Sequence, residues 1–292
     1  MKSIKVINRK TGKVFTETPP SEGLLKFIYQ TPFGLLPLHL VVKRKFVSSV
    51  MGAQMNKKSS ANKIQKFVTD FKVNMEDALL SVKDFTTFND FFYRKLKPTA
   101  RPIQEGIVSP ADGKILVFEN VSTTKEFFVK GNKFTLKKFL QDEKLESKFE
   151  NASLILIRLA PDDYHRYHFP YSGEISKTEI IDGAYYSVSP YAVKERFSIF
   201  CENKRSKAIL KTKDKGDILI SEIGATMVGS IFQTYKENSQ VNKGDEKGYF
   251  AFGGSSVILL IDADKIKIDE DLLKNTKNGF ETTIKMGEKI GL

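Results

Sequence analysis

A chain of 292 residues, 40% hydrophobic and 28% charged, is globular rather than disordered and has material for one large domain or two ordinary ones. Its single cysteine, Cys201, excludes an internal disulfide and any cysteine-cluster metal site, and suits a reducing compartment. The net charge of +12 calls for an anionic partner: nucleic acid, a membrane surface or an acidic substrate.

Residues 1–22 read as a polar N-terminal segment without the apolar core of a signal peptide. From Gly23 to Thr69 there is no Asp or Glu, while Lys26, Lys43, Arg44, Lys45, Lys57, Lys58, Lys63 and Lys66 supply eight positive charges among many aliphatic residues. Apolar, basic and acid-free is the composition of a segment lying on an anionic bilayer. Aliphatic rather than aromatic interleaving suits lipid better than bases, so nucleic acid is not expected as a partner. The uncharged run from Phe27 to Val42 covers 16 residues and contains Pro32, Gly34 and Pro37, which is short of the roughly 20 apolar residues of a span. Residues 23–105 are therefore expected to form a basic, amphipathic, helical membrane-associating region. Within it, Ile64, Phe67, Val68, Phe71, Met75, Ala78, Leu79 and Val82 fall at helical spacing. Thr87 with Asp90 resembles a capping box ahead of Phe88, Phe91 and Phe92.

From Ile107 the pattern changes to short apolar runs punctuated by Gly, Pro and Asp. Strands are expected at 115–118, 127–129, 154–159, 175–181, 184–188, 208–211, 218–223, 227–232 and 257–261, with helix at 134–140 and near 193–197. Residues 106–292 thus read as a β-rich catalytic domain, and the whole chain as α+β: a helical N-terminal region followed by a β-rich body.

Three places in that body could carry chemistry. Ser109-Pro110-Ala111-Asp112-Gly113-Lys114 places a carboxylate in a turn just ahead of a strand. Asp163-Tyr164-His165-Arg166-Tyr167-His168 holds two of the chain's three histidines. A third strong ligand is missing nearby, so acid–base work is favoured over a metal site. Gly253-Gly254-Ser255-Ser256 lies between an acidic, turn-rich segment and the apolar run beginning at Val257. A serine is a weak nucleophile that needs a base, and the base needs a group to orient it. Asp112, one of the two histidines and Ser255 supply such a set. Gly254 has no Cβ to hinder attack on its own carbonyl.

Taken in order, Phe88-Asn89-Asp90-Phe91-Phe92, Ala111-Asp112-Gly113, the two-histidine block, Gly224-Ala225-Thr226-Met227-Val228-Gly229-Ser230, Lys243-Gly244-Asp245-Glu246 and Gly254-Ser255-Ser256 resemble the phosphatidylserine decarboxylase proenzymes. The junction reads Gly-Gly-Ser-Ser where that family often has Leu-Gly-Ser-Thr, and one extra residue separates it from Gly248.

The resemblance implies a self-processing, pyruvoyl-dependent enzyme. Asp112 would orient His168, and His168 would take the proton of Ser255, whose oxygen attacks the Gly254 carbonyl. Cleavage between Gly254 and Ser255 would leave a β chain, 1–254, and an α chain, 255–292, which remain together as a heterodimer. Ser255 would become the pyruvoyl group, the sole cofactor, with no separate cofactor-binding residue and no metal. That group would form a Schiff base with the amine of phosphatidylserine and accept the electrons released with carbon dioxide, giving phosphatidylethanolamine. His165 is the candidate proton donor. The implied location is peripheral, on the cytoplasmic face of the cell membrane.

Two readings compete. A serine hydrolase could use Asp112, His168 and Ser255 on external substrates without self-cleavage, although no Gly-x-Ser-x-Gly elbow supports it. A basic binding protein without chemistry is allowed by the charge alone.

Overall fold

Runs of Val, Ile and Leu long enough to be buried on both faces form the centre of the molecule. The computed structural model describes residues 5–17, 52–121, 134–195, 197–225, 231–251 and 255–292. In chain order it contains β1 (Lys5–Ile7), β2 (Val14–Thr16), α1 (Ile64–Phe71), α2 (Phe88–Phe92), β3 (Ile107–Val108), β4 (Gly113–Phe118), α3 (Leu136–Leu140), α4 (Glu143–Lys148), β5 (Ala152–Leu159), β6 (Arg166–His168), β7 (Gly173–Ile175) and β8 (Glu179–Ile181). There follow α5 (Pro190–Glu195), α6 (Ile199–Glu202), β9 (Arg205–Lys211), β10 (Asp217–Gly224), β11 (Ile231–Gln233), β12 (Ser239–Val241), β13 (Glu246–Phe250), β14 (Ser255–Asp262), α7 (Glu270–Lys277), β15 (Phe280–Ile284) and β16 (Lys289–Gly291). The architecture is α+β.

The main sheet runs β12-β7-β9-β10-β14-β5-β4-β15-β1-β2, with β8 also on β9. Neighbours are antiparallel except β1 and β15, which are parallel. Its central strands alternate between two cores, because successive side chains point to opposite faces. Leu116, Leu154, Leu156, Leu219, Ile258 and Leu260 enter one core, which α3 and α6 cover with Phe139, Leu140, Ile199 and Phe200. Ile115, Ile155, Ile157, Ile218, Val257 and Leu259 enter the other, under Leu272 of α7 and under Tyr167 and Phe250. Those last two belong to a small second sheet, β11-β13-β6.

The helical region between residues 52 and 97 has its own cluster, Met55, Ile64, Val73, Phe85, Phe88, Phe91 and Phe92. Thr87 caps α2 by accepting from the Asp90 backbone N–H at 3.0 Å. The reciprocal bond runs to Thr86 N (3.1 Å), so the expected box is displaced by one residue. Of the basic stretch 23–69 expected to meet a membrane, residues 23–51 lie outside the described residues, whereas Lys57, Lys58, Lys63 and Lys66 are described and exposed.

Three expectations change. The polar N-terminal segment contains β1 and β2, and β1 joins the main sheet through β15. The expected 175–181 strand divides into the ends of β7 and β8: Ile175 faces Leu210 and Glu179 faces Lys207, so one extra residue bulges between them. Residues 184–188 form only an isolated bridge, Ala184 to Asn203. The Asn203 side chain takes the place of a partner strand there, accepting from Tyr186 N (2.9 Å) and donating to Tyr186 O (2.8 Å).

Candidate active site

Strand polarity brings the chemistry-bearing residues to one end of the main sheet. Ser255 opens β14 and faces Leu159 at the end of β5 and Gly224 at the end of β10. Asp112 directly precedes β4, where Lys114 faces Arg158 of β5. The loop leaving β5 carries Asp162, Asp163, Tyr164 and His165 into β6, which pairs with β13. β13 ends at Phe250, four residues before the Gly254–Ser255 bond is reached. Bonds from Phe250 N to His165 O and from Phe169 N to Asp245 O, both 2.9 Å, join the histidine segment to the segment leading into the junction.

Alternation separates the two serines. Ser255 shares its face with Val257, Leu259 and Ile261, on the side where β6 lies, whereas Ser256 shares the opposite face with Ile258 and Leu260. Ser255 and Ser256 are both 0% exposed, and among the described residues neither Oγ has a hydrogen-bond partner, but only Ser255 faces the histidine strand. A hydroxyl left unpaired in a native core needs an explanation, and a residue kept for chemistry provides one. This orphaned atom also fits a serine that is to become a pyruvoyl group.

Both histidines are buried and neutral. The Nδ1 of His168 lies 2.9 Å from the Gly244 carbonyl, which can only accept, so Nδ1 bears the proton. Its Nε2 lone pair then accepts from the Tyr164 hydroxyl at 3.2 Å. Burial lowers the pKa of His168, and the hydrogen bond to Gly244 and the charges of Glu246 and Asp112 oppose that only in part. His165 repeats the arrangement: its Nδ1–H donates to the Asp163 carbonyl at 2.9 Å, and its Nε2 has no partner. Burial pushes its pKa down to about 3. The Phe92 ring lies against it, centroid to centroid 3.9 Å, so the helical region supplies one wall of the site.

Asp112 is bound elsewhere. Its carboxylate accepts from Arg101 Nε (2.9 Å to Oδ1) and Nη2 (2.6 Å to Oδ2), and from Met286 N (2.8 Å). The group that holds the His168 ring is the Gly244 carbonyl, and Asp112 reaches that imidazole only as a nearby charge. Asp163 accepts from Lys114 Nζ (2.8 Å) and Ala160 N (2.7 Å), which fixes the start of the histidine loop. Asp112, Lys114, Asp162, Asp163, Glu17 and Lys285 line part of a cavity of about 340 Å³ beside the site.

The structure therefore gathers Asp112, His165, His168 and Ser255 at one sheet end. It pairs no two of them by a hydrogen bond. Sequence reasoning missed Tyr164, Gly244, Arg101 and also Arg94, whose Nη2 donates to the Asp162 carbonyl at 3.2 Å. The first two lie inside motifs already singled out, so their neighbours were the available signal. The arginines come from the helical region, and nothing local marks them.

Fold and site together define an α+β enzyme built round a buried serine and two neutral histidines. The phosphatidylserine decarboxylase family model matches residues 88–292. The phosphatidylserine decarboxylase proenzyme of Fusobacterium nucleatum is 54% identical over 291 residues, covering 99% of this chain and 97% of the relative. The proenzymes of Clostridium novyi and Desulfitobacterium hafniense are 45% and 44% identical, again over 99% of this chain, and over 99% and 98% of their own lengths. The chain belongs to the phosphatidylserine decarboxylase family, a family of lyases made as proenzymes.

Proposed function

We propose that this chain cleaves itself between Gly254 and Ser255 to make the carbonyl with which, as a phosphatidylserine decarboxylase, it converts phosphatidylserine to phosphatidylethanolamine. The observation that carries the reading is the Ser255 hydroxyl: fully buried, unpartnered, and on the face of the sheet that meets the histidine strand.

In the first stage the neutral Nε2 of His168 takes the Ser255 proton, displacing the weak bond from Tyr164. The Ser255 oxygen attacks the Gly254 carbonyl, and the peptide C–N bond gives way to an ester as the proton passes to the freed nitrogen. Asp112 favours the imidazolium that forms, acting as a charge and not as a hydrogen-bond partner. Loss of the Ser255 α-proton and cleavage of its Cβ–O bond release the Gly254 carboxylate. Water then replaces the nitrogen as ammonia, leaving the pyruvoyl group at the start of the α chain.

That group supplies an electron sink for the pair released when the substrate loses carbon dioxide. His165 manages protons around it. At neutral pH its Nε2 holds a lone pair, so it cannot open the reaction as a donor. It takes the proton that the substrate ammonium must lose and returns it to the carbon that carbon dioxide has left. Burial keeps the Tyr164 phenol protonated, so it can donate to the His168 Nε2 whenever that nitrogen holds its lone pair.

The phospholipid implies a membrane surface, and the basic stretch from Gly23 to Thr69 favours an anionic one. Among the described residues no helix is long and apolar enough to cross a membrane. Attachment on the cytoplasmic face is the reading that fits this composition.

The test is Ser255→Ala. The variant should remain one chain and lack decarboxylase activity. A cut, active Ser255→Ala protein would overturn the assignment.

A further inference from the structure

Among the described residues, six buried side-chain atoms have no hydrogen-bond partner. Glu222 Oε1 is one, and it faces Lys247 Nζ in an ion pair at 2.8 Å. The other five are Ser255 Oγ, Ser256 Oγ, His165 Nε2, and Nε and Nη1 of Arg94. Self-cleavage and proton transfer use Ser255 and His165. Nothing in that chemistry uses Arg94.

Arg94 stands apart from the other described arginines that are buried or half-buried. Arg158 holds Glu281 and Glu17, Arg101 holds Asp77 and Asp112, Arg166 holds Glu246, and Arg205 donates to three backbone carbonyls. Arg94 is 5% exposed, lies over the Phe91 ring at 5.2 Å, and among the described residues makes one hydrogen bond, Nη2 to the Asp162 carbonyl at 3.2 Å, with no carboxylate partner. The neighbouring carboxylates are committed elsewhere, Asp112 to Arg101 and Asp163 to Lys114. A guanidinium keeps its charge in a protein, and burying it unpaired is costly. An anion brought by a ligand would remove that cost.

The position suits a ligand. Arg94 follows α2, whose Phe92 covers His165. Asp162, which accepts the single Arg94 bond, also lines the cavity beside Asp112 and Asp163.

The substrate carries two anions, and the reaction distinguishes them. A guanidinium on the carboxylate would hold the ground state and lose its partner as carbon dioxide departs, which raises the barrier. The phosphodiester keeps its charge from substrate to product. We propose that Arg94 binds the phosphodiester of the phospholipid head group through its open N–H groups, setting the distance between lipid backbone and reacting serine-derived carbon. This rests on the decarboxylase reading above.

Arg94→Gln and Arg94→Lys test it, assayed with a short-chain phosphatidylserine and inhibited by short-chain phosphatidylethanolamine, which keeps the phosphodiester and lacks the carboxylate. Arg94→Gln should cleave itself normally. Its KM should rise about ten- to a hundredfold with kcat little changed, because the contact is the same in ground and transition states. The inhibition constant of phosphatidylethanolamine should rise by the same factor, and Arg94→Lys should fall between. A raised KM with unchanged phosphatidylethanolamine inhibition would place Arg94 on the carboxylate and overturn the proposal. So would an unchanged KM in both variants, or an Arg94→Gln chain that stays uncut. Failure of the decarboxylase reading would look different: the unsubstituted protein itself would not turn over phosphatidylserine.

Discussion

His165 and His168 lie three positions apart and share one tautomer, yet their free nitrogens meet different surroundings. The Nε2 of His168 is held by a phenol, and that of His165 is sealed in with no partner. If His168 is the base of self-cleavage, His168→Ala should remain one chain on a denaturing gel, and rapid cutting of that variant would remove it from the role. His165→Asn should cut and then turn over slowly, and unchanged turnover would remove His165 from the mechanism. Burial lowers the pKa of both, so the unfolded chain binds more protons than the folded one once pH drops below the ordinary histidine value of 6.5. Their contribution to stability is complete above that value and is lost as pH falls, toward about 3 for His165. Each titrating histidine costs up to about 1.4 kcal/mol per pH unit. In the uncut Ser255→Ala background, urea midpoints should fall between about pH 7 and about pH 5, and less steeply with His165→Asn added. Parallel slopes would contradict the buried, neutral assignment.

At the scale of elements, the site exists because β13 belongs to the small sheet and β14 to the large one, with the proposed cleavage bond in the chain between them. The close approach of β4 to β5 is equally specific. A Cβ on Gly113 would lie 2.5 Å from the Arg158 carbonyl oxygen and 3.0 Å from Ile157 Cγ2. Gly113→Ala should therefore force the strands apart beside Asp112, costing about 1–3 kcal/mol and slowing cleavage. A variant with the original melting temperature and cleavage rate would show that the contact can relax. Legibility in sequence followed the same physics. β4, β5 and β14 are buried on both faces and stand out as apolar runs, and β10 does so over Ile218–Ile220 before Ser221 and Glu222 interrupt it. β6, with the sequence Arg-Tyr-His, is a strand only because β13 pairs with it, and no local pattern announces that. β15 and α7 are short and largely polar, so their apolar faces are too narrow to register. The motif residues Asp112, His165, His168 and Ser255 were visible one by one. The arginines that set the charge around them were not, since Arg94 and Arg101 are brought there from the helical region.

For the whole molecule, the excess of positive charge and the family membership point the same way, toward a lipid surface. Each Lys or Arg near an anionic bilayer contributes about 1 kcal/mol, and salt screens it. The protein should bind vesicles containing phosphatidylserine at low salt and release progressively as salt rises. Equal binding to neutral vesicles, or none at low salt, would refute an electrostatic attachment. The central claim remains that this chain makes its own catalytic carbonyl. The intact mass of the purified protein under denaturing conditions tests it most directly. Two chains ending at Gly254 and starting at residue 255, the smaller beginning with a pyruvoyl in place of Ser255, are the result expected. A single chain of 33.1 kDa from a protein that nonetheless decarboxylates phosphatidylserine would contradict it.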